Sequence, residues 1–459
     1  MTTRILSGCC IILALLWGCD KEKEFLAAKP NQALVLPSGL DDYDRILSYS
    51  TLFNNYADPV FGTASADEYY LPDAALNALP YSFYRNIYTW ASDIYEGETL
   101  FNGGWDKSYQ QVFNCNVILE GLEKLEISNT DISKYNRIKG SALFFRSWAF
   151  YNLVQNFAMP YNQATASQEP GIPLRLTSDI NNRPPRASIE KCYEQILADL
   201  NTALALLPDF SQYKTQPSSV VTLGFLARIY QAMGDHNKAF DFADKFLSKF
   251  STLTDYNTLS PSRTSSISTT FLNEEVFHTS IASTSLTARS AARIPKELYD
   301  SFREADLRKK LFFRILNNEI FYKGSYDFYG YPFSGIATDE VLLIRAECYA
   351  RSQDKDAALA DLNRLLKKRW SSAAVYEPVT AASADQALGV ILGERKKELL
   401  FRGLRWTDLR RFNQEEQFKM TLRRIVNGKE YVLPPNDPRY ALPIPLEEIQ
   451  LSGIPQNKR

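Results

Sequence analysis

One spacing occurs twice in this chain: Ala227, Tyr230, Asp235 and Ala239 recur as Ala346, Tyr349, Asp354 and Ala358. Each set reads as a helix, a tight turn and a second helix. Small alanines let the two helices approach, the tyrosine fills the space beside the turn, and the aspartate caps the second helix. Ser188 to Leu207 adds a stripe of Ile189, Cys192, Tyr193, Ile196, Leu197, Leu200, Leu204 and Leu207, with Ser188 as N-cap and Pro208 as stop. An earlier pair is expected over 109–125 and 135–157, where Phe145, Trp148, Ala149, Leu153 and Phe157 form a broad apolar face.

Four helical pairs of tetratricopeptide-like character are therefore expected. A pure solenoid is not, because 51–107, 250–335 and 413–459 lose the periodicity and carry Pro, Gly, Ser and clustered aromatics. Loops this long inside a compact chain are more often functional than idle. The expected fold is mainly α: helical pairs packed against an irregular, loop-rich lobe with few short strands, the lobe carrying the recognition surface.

Charge excludes some functions. The formal net charge is −1 with a pI near 6.3 and no lysine-arginine run, so no nucleic-acid footprint is present. The aromatic fraction of 13% exceeds what helix packing usually needs, so some rings are expected to serve recognition. Cys9, Cys10 and Cys19 fall in or just after the N-terminal apolar run, leaving Cys115, Cys192 and Cys348 as expected buried free thiols. His236 and His278 lack paired ligand spacing and there is no CxxC, so neither a metal nor a cofactor is expected.

The N-terminus reads as an address. Arg4 gives a positive start, Ile11 to Trp17 an apolar core too short to span a bilayer, and Leu16, Gly18 and Cys19 resemble a bacterial lipobox. Leu6-Ser7-Gly8-Cys9 fits the local pattern but leaves no room for an apolar core before it. Lipidation is thus expected at Cys19, followed by the hydrophilic spacer Asp20-Lys21-Glu22-Lys23-Glu24.

Residues 393–412, GERKKELLFRGLRWTDLRRF, read by composition as a solvent-lapped amphipathic segment, with Leu392, Leu399 and Trp406 on one face, Glu398 one turn before Arg402, and Gly403 as a stop or kink. Glu398, Arg402, Arg405 and Asp408 fit a structural ion network better than a site. The order Glu394-Arg395, Glu398-Leu399, Gly403, Arg405-Trp406 and Asp408-Leu409-Arg410-Arg411 resembles the C-terminal signature of SusD/RagB-like outer-membrane lipoproteins. Further resemblances run along the chain: Phe25-Leu26 and Pro30; Arg146, Ala149, Tyr151 and Leu153 ahead of Gly171-Ile172-Pro173-Leu174; Asp199-Leu200 and Leu207-Pro208. Leu343, Arg345-Ala346-Glu347, Asp361-Leu362-Asn363 and the closing Leu442-Pro443-Ile444-Pro445, Glu448 and Gln456-Asn457 continue the series. Departures are Ala27 in place of an acid, Met159-Pro160-Tyr161 in place of a glycine-rich turn, and Ser452-Gly453 where Asn-Pro is usual.

The resemblance implies a lipid-anchored protein of the outer membrane, facing outside, which closes over a SusC-type TonB-dependent barrel transporter and presents oligosaccharides or peptides to it without catalysis. It also implies a division into 1–18 as signal peptide, 19–30 as lipidated spacer and 31–459 as body, the last split into an N-terminal part over 31–215 and a C-terminal part over 216–459.

A sugar site needs exposed aromatic planes beside hydrogen-bonding groups. Trp90, Tyr95, Asn102 and Trp105 surround Gly97 and Gly103-Gly104, and Tyr326, Phe328, Tyr329 and Tyr331 crowd another glycine-bearing stretch with Tyr322, Lys323 and Asp327. These two groups are the candidate ligand contacts, with packing of the irregular lobe as the bland alternative. Trp148, Trp370 and Trp406 lie in helical patterns and are expected in the core. No HExxH, GxSxG, P-loop or dinucleotide fingerprint supports an enzyme. A peptide-binding member of the same family and a helical-repeat scaffold for proteins are the competing readings.

Overall fold

The computed structural model describes residues 37–96, 103–282 and 284–459. Cys19 and Asn102 lie outside them. Long helices supply one side of the molecule: α1 (Trp105–Leu122), α2 (Ile132–Phe157), α3 (Ile189–Leu206), α4 (Ser219–Met233), α5 (His236–Lys249), α6 (Thr338–Arg351), α7 (Lys355–Arg369) and α8 (Ala384–Glu398). The short α9 (Arg405–Phe412) follows.

Each long helix packs on the next, so α1 to α7 form one continuous array with α8 laid against α6 and α7. Three of the expected pairs are helical hairpins, α1–α2, α4–α5 and α6–α7, while α3 bridges α2 and α4 without a hairpin partner of its own. The two repeats behave alike. Asp235 accepts from the amide of Lys238 at 3.1 Å and Asp354 from that of Ala357 at 3.0 Å, each carboxylate satisfying an otherwise unpaired donor of the helix it starts. Ser188 caps α3 through the Lys191 amide, and the helix ends just before Pro208.

Helix contacts are fastened by buried ion pairs. Arg146 on α2 grips Asp199 on α3 with two bonds of 2.7 and 2.8 Å, and its third arm reaches Asn116 on α1. Arg228 on α4 holds Glu340 on α6 in the same two-oxygen manner, both bonds 2.7 Å. Between α2 and α4 the rings of Phe144, Trp148 and Phe225 pack with Phe277, and the Trp148 indole donates to Asp58 at 2.7 Å. Cys115, Cys192 and Cys348 are buried free thiols.

The irregular lobe is built from short helices over residues 40–88 and from two-stranded ladders. β1 (Pro170–Pro173) pairs with β2 (Arg186–Ser188), β3 (Glu275–Phe277) with β6 (Ile336–Ala337), β4 (Phe313–Leu316) with β5 (Glu319–Tyr322), and β7 (Leu422–Val426) with β8 (Lys429–Leu433), all antiparallel. No sheet among the described residues exceeds two strands, so this lobe relies on aromatic packing and ion pairs for its rigidity.

The segment 393–412 departs from the solvent-lapped reading. Arg395, Glu398, Arg402, Arg405, Asp408, Arg410 and Arg411 are all buried. Helix α8 stops at Glu398, Phe401 and Gly403 take positive φ, and α9 restarts at Arg405, so Glu398 and Arg402 do not pair along one helix. Glu398 instead receives Arg308 at 2.9 Å and Arg369 at 2.8 Å, Arg402 meets Asp339, Arg405 meets Asp67, and Asp408 lies between Arg395 and Arg411. Charge density that reads as solvent exposure is here a buried scaffold in which nearly every ion has its counterion.

The last residues return to the first half of the chain. The amide of Leu442 donates to the carbonyl of Asn156 and the side-chain amide of Asn457 to that of Phe157, each at 2.8 Å, while Arg410 donates to the carbonyls of Gln155 and Ala158. These are the terminal carbonyls of α2 and its cap, groups with no partner inside the helix.

Candidate functional site

The β4–β5 hairpin turns through Asn317 and Asn318, both at positive φ, which suits the tight two-residue turn of twisted antiparallel strands. Strand β5 then delivers Tyr322 and Lys323 to the start of a glycine-bearing loop. Asp327 organises that loop: its Oδ1 accepts from the amides of Tyr329 at 2.8 Å and Tyr331 at 3.3 Å, and Ser325 donates to the carbonyl of Tyr331. The chain folds back so tightly that Gly330 sits at φ +85°, where a Cβ would lie 2.3 Å from Arg289 and 2.5 Å from the carbonyl of Ser265. Only glycine fits there without displacement.

The consequence is an outward Tyr329, with 68% of its surface exposed, beside a cavity of about 440 Å³. Tyr322 and Phe401, stacked at 4.8 Å and 26°, contribute aromatic lining together with Tyr329 and Tyr331. Arg289, Arg314 and Lys323 bring charge, and Ser265, Thr287, Ser290 and Ser325 bring hydroxyls. Tyr331 rests on Tyr56 with ring centroids 3.8 Å apart. Burial pushes Arg289 and Lys323 below their ordinary values, and the neighbouring Arg314 charge adds to the effect on both.

The candidate residues divide sharply. Trp90, Tyr95, Trp105 and Tyr326 are 2–3% exposed and cannot offer a ring face to ligand. Trp90 donates to the carbonyl of Ser65 and lies under Arg424. Tyr95 donates to the carbonyl of Pro443, fixing the loop to the C-terminal segment. Trp105 opens α1 and meets Phe157 edge to face at 4.9 Å. Tyr326 lies beneath its loop, its hydroxyl bonded to Glu274 and Asp339 at 2.8 Å each. In an irregular lobe such rings supply the core that helix stripes supply elsewhere. Phe328 is half-buried, stacked on His278 at 5.8 Å, and is not among the residues lining the cavity. Of the seven candidates among the described residues, Tyr329 and Tyr331 line the cavity. Trp148 and Trp406 are core, whereas Trp370 is half-buried at the end of α7.

Arg289 and Arg314 were not among the sequence candidates. Their signal is faint: no acidic residue occurs between Glu275 and Glu297, so Arg289 has no local counterion. A second and larger cavity, about 1000 Å³, lies on the helical side between the α4–α5 and α6–α7 turns, bordered by His236, Asp241, Tyr349 and Arg351. Among the described residues no cluster of His, Cys, Asp and Glu could hold a metal, and no helix is long and apolar enough to cross a membrane.

Fold and site together define a helical-array protein with an aromatic, cationic recess on its irregular lobe. The chain belongs to the SusD/RagB-like family: residues 24–231 match a family model described as starch-binding associating with outer membrane, and residues 337–458 match that of the SusD family. It is 29% identical over 136 residues to SusD-like protein P2 of Formosa agariphila, a match covering 29% of this chain and 25% of that one, so the aligned part spans about a quarter of the curated relative. Among solved structures, a SusD superfamily protein from Bacteroides thetaiotaomicron superposes with a TM-score of 0.72 at 23% identity, covering 92% of this chain and 100% of its own. A protein described as a putative sugar binding protein from Bacteroides vulgatus gives 0.71 at 20% identity, covering 92% and 99%. These structures establish the likeness of fold.

Proposed function

We propose that this protein is a surface-exposed, lipid-anchored receptor that captures oligosaccharides and delivers them to a SusC-type TonB-dependent transporter of the outer membrane. The observation that carries the reading is the recess beside Tyr329, an exposed aromatic plane next to hydroxyl and cationic donors, in a chain whose N-terminal half matches a starch-binding family model. A sugar ring offers an apolar C–H face to the tyrosine and peripheral hydroxyls to the donors. Glycoside hydrolysis needs two carboxylates across a cleft, and the lining of this recess has none among the described residues, which favours a binding role for the recess over that reaction.

In this reading lipid on Cys19 supplies anchorage, residues 19–30 a spacer, and 31–215 and 216–459 the two parts of the body. The helical array faces the transporter, and the groove between its two repeat turns is available to receive it. A protein-only scaffold would leave the aromatic recess without a role.

Two measurements test this. Purification from membranes in mild detergent should recover a large β-barrel protein together with this chain. Calorimetric titration of oligosaccharides should show binding that Tyr329→Ala weakens. Recovery of the chain alone under conditions that preserve other membrane complexes would remove the transporter from the proposal. Binding of peptides but no sugar would replace its ligand.

A further inference from the structure

The recess beside Tyr329 has a local charge imbalance. Its lining contains Arg289, Arg314 and Lys323 and no carboxylate, and none of the three forms an ion pair with a described residue. Elsewhere many inward arginines meet carboxylates: Arg308 meets Asp306, Glu394 and Glu398, and Arg369 meets Glu274 and Glu398, while the buried Arg410 and Arg424 spend their donors on backbone carbonyls. In the recess the partners are carbonyls. Arg289 donates to Ser265, Lys323 to Pro261, and Arg314 reaches the carbonyl of Arg289 at 3.5 Å. Most of the five donors on each guanidinium therefore remain open. Asp327, the acid of the neighbouring loop, is turned away, with one oxygen on the amides of Tyr329 and Tyr331 and the other on His278.

We infer that the ligand of this recess is an anionic oligosaccharide, one whose carboxylate or sulfate groups are held by Arg289, Arg314 and Lys323 while a sugar ring rests on Tyr329. The inference rests on the glycan-binding reading and gives it a substrate class. A guanidinium fork matches a carboxylate or sulfate through two parallel bonds, which a neutral hydroxyl cannot reproduce. The overall charge of −1 offers no general attraction for anions, so the preference is local to the recess. The missing side chain at Gly330 is part of the device, since a Cβ there would come within 2.3 Å of the Arg289 guanidinium. Burial and the Arg314 charge lower the proton affinity of Arg289 and Lys323, outweighing for Arg289 the more distant attraction of Asp327, as expected where cations lack an adjacent carboxylate.

The test is titration of the purified full chain with four probes: a galacturonate tetrasaccharide, a sulfated galactan tetrasaccharide without carboxylates, maltotetraose, and pentaglutamate. One or both charged sugars should bind at least about tenfold more tightly than maltotetraose, with affinity falling as salt rises. Which of the two does so identifies the anion. Arg314→Gln, on the exposed rim, and Arg289→Gln should each lose about tenfold for the charged sugar with unchanged melting temperature. Maltotetraose binding at least as tightly as both charged sugars, or full affinity in both variants, overturns the anionic preference and leaves glycan capture standing. Pentaglutamate binding without any sugar overturns both.

Discussion

His278 and Asp327, 49 residues apart, are joined through Nε2 and Oδ2 at 3.2 Å, and the same imidazole meets Glu275 through Nδ1. Phe271, Phe328 and Phe333 enclose the ring. Burial opposes the imidazolium, but the hydrogen bonds to Asp327 and Glu275 overcome it and bring the pKa from 6.5 up to about 9. Because Asp327 also holds the amides of Tyr329 and Tyr331, one buried charge supports the loop that carries the exposed tyrosine.

The sign of the pH dependence follows. A folded-state pKa above the unfolded value gives stability that is complete below about 6.5 and disappears as pH rises through about 9, on the order of 3 kcal/mol in all. Thermal unfolding followed from about pH 6 to 10 should show a falling melting temperature above neutrality. His278→Gln should flatten that part of the profile and lower its starting point. A profile in which wild type and variant fall in parallel would assign the effect to other groups.

Tyr329 and Trp105 should separate binding from packing. Tyr329→Ala removes an exposed ring and is expected within about 0.5 kcal/mol of the parent in stability, while ligand affinity drops. Trp105→Ala vacates a buried site against Phe157 and Tyr109 and should cost about 3–5 kcal/mol, read by urea unfolding.

Gly330→Ala combines two penalties at one position. The positive φ costs about 1–2 kcal/mol for any residue with a Cβ, and the methyl would meet Arg289 at 2.3 Å. Both stability and ligand affinity should fall, whereas Gly234→Ala, also at positive φ but with open space around it, should affect stability alone.

Glu398 neutralises Arg308 and Arg369 together. Glu398→Ala leaves two buried guanidinium groups short of a counterion and should destabilise by about 3–5 kcal/mol. The loss should exceed that of Asp354→Ala, where a surface cap of about 1 kcal/mol is removed. Chemical denaturation of the two variants beside the parent checks the order.

Regular structure was the legible part of this sequence. Asp235 and Asp354 cap the predicted helices, and Ser188 and Pro208 bound the predicted α3, because capping and apolar periodicity are local properties. The irregular lobe hides more. Tryptophans in a glycine-bearing stretch read as loop, yet Trp90 and Trp105 are core, since a lobe whose described ladders are all two-stranded must draw its interior from whatever aromatics lie in its loops. Tyr329 and Tyr331 could be picked out by composition, but Arg289 and Arg314 reach the same recess from different segments and share no spacing with them. The buried charges of 393–412 misled for a related reason: many of their counterions, Asp67, Arg308, Asp339 and Glu347 among them, lie tens to hundreds of residues away.

The closure of α2 has a consequence for how the chain is made. Its last carbonyls are bonded by Arg410, Leu442 and Asn457, roughly 250 to 300 positions downstream. While the chain is being synthesised those carbonyls have only water as partner, however complete the helix before them. The N-terminal helices can assemble early, but this lock on α2 is set only when the segment from Arg410 to Asn457 has joined them, so the leading half alone cannot complete it.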